Sequence, residues 1–194
     1  MSYVVTISRQ FGSTGGQIAK EAAAKLKIEF LDKRIIERIA DETGIAQEHI
    51  DAHEKHGEKF WQRNKMLFNF SSYDLNQQIF RKQKEIIREH AAAHSCLILG
   101  RSADAILADY PQVLNVYIFA PLPFRCQNIQ KFYALSEDDA LAAIKRVDAQ
   151  RSDYRKFFGH NIDRRQLLLD SSCFGTAGCV QMICQAVQTL FPAD

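Results

Sequence analysis

Scarcity sets the first limits on this sequence. Its 194 residues include only four prolines and nine glycines, which excludes collagen-like, silk-like and disordered classes. No apolar run approaches the roughly 18 residues needed to span a bilayer, and the opening MSYVVTISRQFG lacks the long apolar core of a secretory signal. No membrane partner is expected, and the expected compartment is the cytoplasm. Cysteines number five, an odd count, and none form a CxxC pair, so neither a zinc nor a redox site is indicated. Cys96, Cys126, Cys173, Cys179 and Cys184 read as reduced packing thiols. Charge of one sign is scarce too: 25 Lys and Arg against 23 Asp and Glu leave a formal +2, too mild to indicate a nucleic-acid partner. What remains is ordinary globular material, 46% hydrophobic and 25% charged. Its length suits a single domain over residues 1–194.

Hydrophobic patterning supplies the architecture. Tyr3 to Ser8 is short, apolar and β-branched, as in a strand buried on both faces of a parallel sheet. It runs into Gly12-Ser13-Thr14-Gly15-Gly16 and then an alanine-rich helix to Leu26. Residues 28–31 read as a second strand, and Lys33 to Thr43 as a helix ended by Gly44. A polar and then aromatic stretch from Ile45 to about Ser72 contains Phe60, Trp61, Phe68 and Phe70, and a helix follows on the spacing of Leu75, Ile79, Ile86, Ile87 and Ala91. Together these form a helical insert over about 45–94. Residues 96–100 and 113–120 read as buried strands with a helix between them. A mostly helical, charged stretch runs to about Phe158, then come a last strand at 167–170 and a closing helix from Cys179 to Leu190. About five short strands alternating with helices predict a doubly wound parallel sheet in an α/β fold.

A glycine loop between a buried strand and a helix aims unpaired backbone N–H groups at one point, beside the positive end of the helix dipole. Such a place binds phosphate. The GxxxxGK[ST] form adds a lysine for the outer phosphates and a hydroxyl for magnesium. Here Gly16 stands in the lysine position, Gln17 in the Ser/Thr position and Gln10 in that of the first glycine. The expected donor-phosphate residues are Arg9, Gly12, Ser13, Thr14, Gly15, Gly16 and Gln17. Arg9, Lys20 or an arginine from a lid are the alternatives for the missing charge. A ligand-free glycine turn is the competing reading.

Several positions line up with a known family. Ile7-Ser8-Arg9-Gln10-Phe11-Gly12-Ser13-Thr14-Gly15-Gly16, then Leu31-Asp32-Lys33, then Leu99-Gly100-Arg101-Ser102-Ala103-Asp104 resemble the cytidylate kinase-like family of P-loop proteins. The resemblance extends through residues 116–121 and Arg125 to Asp148, Arg151 and Tyr154. It implies a P-loop NTPase-type three-layer fold with a helical lid, an ATP-dependent phosphotransferase, ATP and Mg2+ as donor and ion, and a small nucleotide-like acceptor. The acceptor segment LDTGAMYR of better-understood relatives is similar to Leu31 to Arg38, and their GRD segment to Gly100-Arg101-Ser102. The implied acceptor residues are Asp32, Arg38 and Arg101. Asp104, one turn on, is a substitute for the aspartate that Ser102 replaces.

From Lys145 to Arg165 seven basic residues face three acidic ones. Arg151 and Arg155 are four apart and share a helix face with Asp148. Guanidinium groups can hold a transferring phosphoryl group bidentately, so Arg146, Arg151 and Arg155 are the catalytic candidates, carried by a lid over about 125–165. A solvated basic helix is the alternative. His49, His53 and His56, like His90 and His94, have helical spacing, but no glutamate follows in the HExxH manner and no cysteine partner is near, so no protein metal site is expected. Asp170-Ser171-Ser172 reads either as a turn beside the donor base or as a helix cap. The aromatic insert is a candidate homodimer surface or acceptor-base stack. A nucleotide or phosphate sensor that has lost transfer chemistry is the second functional reading.

Overall fold

A computed structural model describes residues 2–47, 71–157 and 165–192. Its strands are β1 (Val4–Arg9), β2 (Glu29–Leu31), β3 (Cys96–Leu99), β4 (Val113–Phe119) and β5 (Leu167–Asp170). The helices are α1 (Gly15–Leu26), α2 (Lys33–Thr43), α3 (Ser71–Ala93), the single turn α4 (Ala103–Ile106), α5 (Leu122–Tyr133), α6 (Glu137–Phe157) and α7 (Ser171–Leu190). The strands form one sheet in the order β2-β3-β1-β4-β5, every pair parallel. The expected doubly wound α/β architecture is therefore present, with all five strands close to their expected places.

Alternation along each strand splits the core into two layers. Val5, Ile7, Leu97, Leu99 and Val116 point to the face covered by Ile18, Ala19 and Ala22 of α1 and by Cys179, Ile183 and Val187 of α7. Val4, Cys96, Ile98 and Val113 point to the face covered by Ile35 and Ile39 of α2 and Ile79, Ile86 and Ile87 of α3. The two faces explain why β1 reads as a continuous apolar run. A smaller cluster of Cys126, Ile129, Ala140 and Ile144 joins α5 to α6, with Phe11 packed against it. All five cysteines are free, and only Cys173 is exposed. Burial pushes the Cys96 thiol up to about 12, so it stays protonated and packs as an apolar group.

Two boundaries differ from the sequence reading. The charged stretch after Pro121 divides into α5 and α6, because Ala134 takes a left-handed conformation, φ 53°, at the end of α5. The closing helix begins at Ser171, eight residues before the expected Cys179. There the Asp170 carboxylate accepts from the Ser172 N–H at 2.9 Å and caps the first turn. At Gly175, with φ 61° and ψ 178°, the backbone leaves the helical conformation, so a short first helix from Ser171 meets, across a kink, the longer one that carries Cys179 to Leu190. The aromatic cluster at residues 60–70 and His49, His53 and His56 lie outside the described residues. Among the described residues no group of three or more His, Cys, Asp or Glu could hold a metal ion. None of the described helices is long and apolar enough to cross a membrane.

Candidate active site at the carboxyl edge of the sheet

Parallel register brings the strand ends together. Ile7 pairs with Leu99 and Val116, Leu31 with Ile98, and Phe119 with Asp170. The segments that leave the strands therefore share one edge, and these are the glycine loop, Asp32, Gly100-Arg101 and the Asp170 turn. In open α/β sheets this crevice, where connections from the central strand diverge, is the ligand edge.

The loop after β1 is built by contacts from distant parts of the chain. Gln10 N–H donates to the Ile118 carbonyl at 3.0 Å, and the Ala120 N–H donates to Gln10 Oε1 at 3.1 Å. Ser13, fully buried, donates its hydroxyl to the Gln10 carbonyl at 2.9 Å. Gly12, at φ 81°, permits the close approach of α5: a Cβ there would stand 2.7 Å from the Arg125 carbonyl oxygen. Asn128 Nδ2 donates to the Gly12 carbonyl at 2.9 Å. Thr14 caps α1 in a left-handed conformation, with no side-chain bond to the helix. The first-turn N–H groups thus keep no side-chain acceptor and stand open to an anion. Gln17 turns away from the loop, its Nε2 donating to Glu21 at 2.9 Å.

Ser171 ties the β5 end to this loop. Its hydroxyl, 1% exposed, lies 2.7 Å from the Ser13 carbonyl and 3.2 Å from that of Phe119. Ser171→Ala is expected to cost about 1–3 kcal/mol, because the single hydroxyl hydrogen shared by these carbonyls, held mainly by that of Ser13, is lost; urea denaturation measures the loss. In this turn the Asp170 carboxylate also accepts from the Ser172 hydroxyl at 2.6 Å, and these bonds hold its pKa below the usual carboxylate range.

Helix α6 presses on the loop from the outer side. Asp148 Oδ1 accepts from the Phe11 N–H at 2.8 Å, while its Oδ2 pairs with Arg125 Nη1 at 2.5 Å. Arg125 is buried and also reaches the Phe11 carbonyl at 3.3 Å. Arg151 donates from Nη1 to the Arg9 carbonyl at 3.1 Å, and its guanidinium lies 5.7 Å from the Phe11 ring centroid. Arg155 follows Arg151 by one helical turn on α6. Arg146 is exposed and lies two positions from Asp148, on another side of the helix, so it is not brought to the loop.

The acceptor candidates also divide. Arg101 Nη2 stands 3.9 Å from Asp32 Oδ1, and the Arg101 side chain is 9% exposed. Gln83 of α3 holds the segment in place, its Nε2 donating to the Arg101 carbonyl at 2.8 Å. Asp104 lies in the first turn of α4, half-buried. Arg38 is engaged elsewhere, 2.5 Å from Glu42 and 2.5 Å from Glu89, bonds that raise its pKa. Arg38 is six residues along α2 from Asp32, and Glu89 is six residues along α3 from Gln83. Each offset is about 9 Å along a helix and carries Arg38 away from the edge.

Arg9 completes the cluster at the end of β1. Its pKa is lowered to about 9, by burial first and then by Arg151, with Arg101 adding and Asp32 opposing. The group is still cationic at neutral pH. Since folding lowers its proton affinity, the charged form costs stability at neutral pH, and that cost fades only as pH rises above about 9. Three guanidiniums around one carboxylate are mutually repulsive, and an anion would relieve the repulsion.

Asn128 and Gln83 were not singled out in the sequence, and Arg125 and Asp148 were named there only as positions of the family resemblance and of the basic helix face, with no role in the site. Gln83 left a trace: it falls between Ile79 and Ile87 on the apolar face of α3, where a buried polar group needs a partner. The other three act on loop backbone more than a hundred positions away.

A parallel sheet in this order, with a glycine loop between its central strand and first helix, defines a P-loop-type three-layer α/β fold. Within that class the chain belongs to the cytidylate kinase-like family, whose model matches residues 4–171. Over 185 residues, 93% of this chain and 96% of the other, it is 24% identical to the cytidylate kinase of Ignicoccus hospitalis. It is similar in structure to an uncharacterised protein from Eubacterium ventriosum, with TM-score 0.74 and 19% identity over 97% of this chain and 99% of that one. It is also similar to the shikimate kinase of Acinetobacter baumannii in complex with shikimate, with TM-score 0.52 and 14% identity over 100% of this chain and 97% of that one. The family is kinase-like, and the fold is shared with solved kinases.

Proposed function

We propose that this chain is an ATP-dependent phosphotransferase that moves a γ-phosphoryl group to a nucleoside monophosphate or a similar small acceptor. One observation carries the reading: an open phosphate loop after β1 and a charged pair, Asp32 and Arg101, after β2 and β3, meet on one sheet edge. A sensor needs only the first of these, and transfer needs both. Residues 12–17 take the donor phosphates on loop and helix N–H groups. Arg101 takes the acceptor's anionic group, with Asp32 and Asp104 orienting the rest of the molecule. Helices α5 and α6 act as the lid over the donor side, and Arg151 and Arg155 supply its charge.

An acceptor oxygen attacks the γ-phosphorus and forms the new P–O bond. The bond from that phosphorus to the bridging oxygen breaks, and ADP leaves with the electron pair. The protein contributes alignment and charge rather than a covalent step. A magnesium ion that arrives with its nucleotide draws most of its ligands from phosphates and water, and it would neutralise donor-phosphate charge.

The test is ATP consumption by purified protein with magnesium, across a panel of nucleoside monophosphates and nucleosides. Turnover is expected with a monophosphate and not with its nucleoside. ATP binding by calorimetry without turnover on any member would remove transfer to this class of acceptor.

A further inference from the structure

We infer that Arg9 is the cation that grips the transferring phosphoryl group, doing from the end of β1 what a lysine at the Gly16 position does in loops of the GxxxxGK[ST] form. The inference rests on the phosphotransfer reading and names the part that reading lacks.

The fold reserves room for this side chain at two points. A Cβ on Gly15 would stand 2.7 Å from Arg9 Cβ and 3.1 Å from its Cγ, so the absence of a side chain at Gly15 lets the stem pass beneath α1. A Cβ on Gly100, at φ 75°, would overlap Arg9 Nη1, so a second glycine clears the head group. The guanidinium therefore lies between the glycine loop and the Gly100-Arg101 turn, on the line from donor to acceptor. Among the described residues it makes no hydrogen bond and no ion pair, and Asp32 acts on it only through space. A half-buried cation with no direct partner among the described residues, beside two further arginines, is arranged for an anion that the chain itself does not supply.

The other candidate cations are placed less well. Lys20 is exposed on α1, more than one turn past the loop. Arg151 spends Nη1 on the Arg9 carbonyl and lies beside Phe11, on the outer side of the loop. Gly16 itself is exposed, and a Cβ there would meet only Leu99 Cδ2 at 3.9 Å, an ordinary contact. The lysine position is thus open and unused.

That opening supplies the test. Calorimetric titration with tripolyphosphate is run on the unmodified chain, on Arg9→Met, which keeps the stem and removes the charge, and on Arg9→Met combined with Gly16→Lys. Arg9→Met is expected to weaken binding roughly 10- to 100-fold, the range for losing a charge-assisted contact. Its melting temperature should hold or rise, because one of three crowded cations is gone. Adding Gly16→Lys should restore binding by at least tenfold. Unchanged affinity in Arg9→Met overturns the inference and leaves the phosphotransfer reading standing. A loss of affinity with a falling melting temperature and no rescue by Gly16→Lys also overturns it, by making Arg9 structural. Failure of the unmodified chain to bind tripolyphosphate overturns this inference and the phosphate-loop reading together.

Discussion

Asp148→Ala is expected to lower the stability of the chain by about 3–5 kcal/mol, the largest effect of any single substitution considered for this site. The carboxylate has two tasks in two directions. Oδ2 neutralises the buried Arg125 at 2.5 Å, and Oδ1 accepts from the Phe11 N–H at 2.8 Å. Truncation leaves Arg125, a residue only 8% exposed, with no counter-charge. It also deprives the phosphate loop of its anchor on α6. Asp148→Asn keeps an oxygen for Phe11 but loses the ion pair, and should recover part of the loss. Arg125→Met with Asp148→Leu removes both charges and should recover more stability than Asp148→Asn. Tripolyphosphate affinity should stay weak in that double variant, because Phe11 still lacks its acceptor. Urea denaturation and calorimetry on the three variants separate the two tasks; equal affinity in all of them would show that the loop does not depend on α6.

Arg101→Ala is expected to reduce kcat/KM for the acceptor roughly 10²- to 10³-fold, because it removes the group that holds the acceptor's anion in line for transfer. The side chain can be removed without dismantling the turn, since Gln83 holds the Arg101 carbonyl and not its guanidinium. Ala also keeps a non-glycine residue at the same left-handed position, φ 60°. Arg101→Lys should recover little, because an ammonium cannot present the planar pair of N–H groups that a phosphate oxygen edge accepts. Steady-state kinetics with varied acceptor should show a raised KM and a lowered kcat, with the KM for ATP nearly unchanged. A change confined to the KM for ATP would move Arg101 to the donor side.

Legibility in the sequence followed the range of the interactions. The five strands were readable because period-two burial and apolar runs are properties of a few consecutive residues. Gly44 was readable as the end of α2 for a similar reason: it stands at φ 70° and donates to the Ala40 carbonyl at 2.9 Å. The helix from Cys179 was readable and lies beyond the break at Gly175, whereas the short turn from Ser171 did not read as helix. Of the two readings of Asp170-Ser171-Ser172 the geometry bears out the cap, with the carboxylate accepting from the Ser172 N–H. Arg38 was an acceptor candidate through the family resemblance of residues 31–38, yet Glu89, fifty-one positions away, engages it.

By itself, then, the sequence determined the alternation of strand and helix, the glycine loop at the first turn and the family resemblance, since each rests on local sterics or on residue order. The tertiary structure alone decided which charges meet. Phe11 and Asp148 are 137 positions apart, and Arg9 and Arg151 are 142 apart. Their contact depends on β1 lying between β3 and β4 and on α6 folding back over the loop. The physical reason is that backbone preference acts over a few residues, whereas a buried charge takes its partner from whatever the fold brings within a few ångströms.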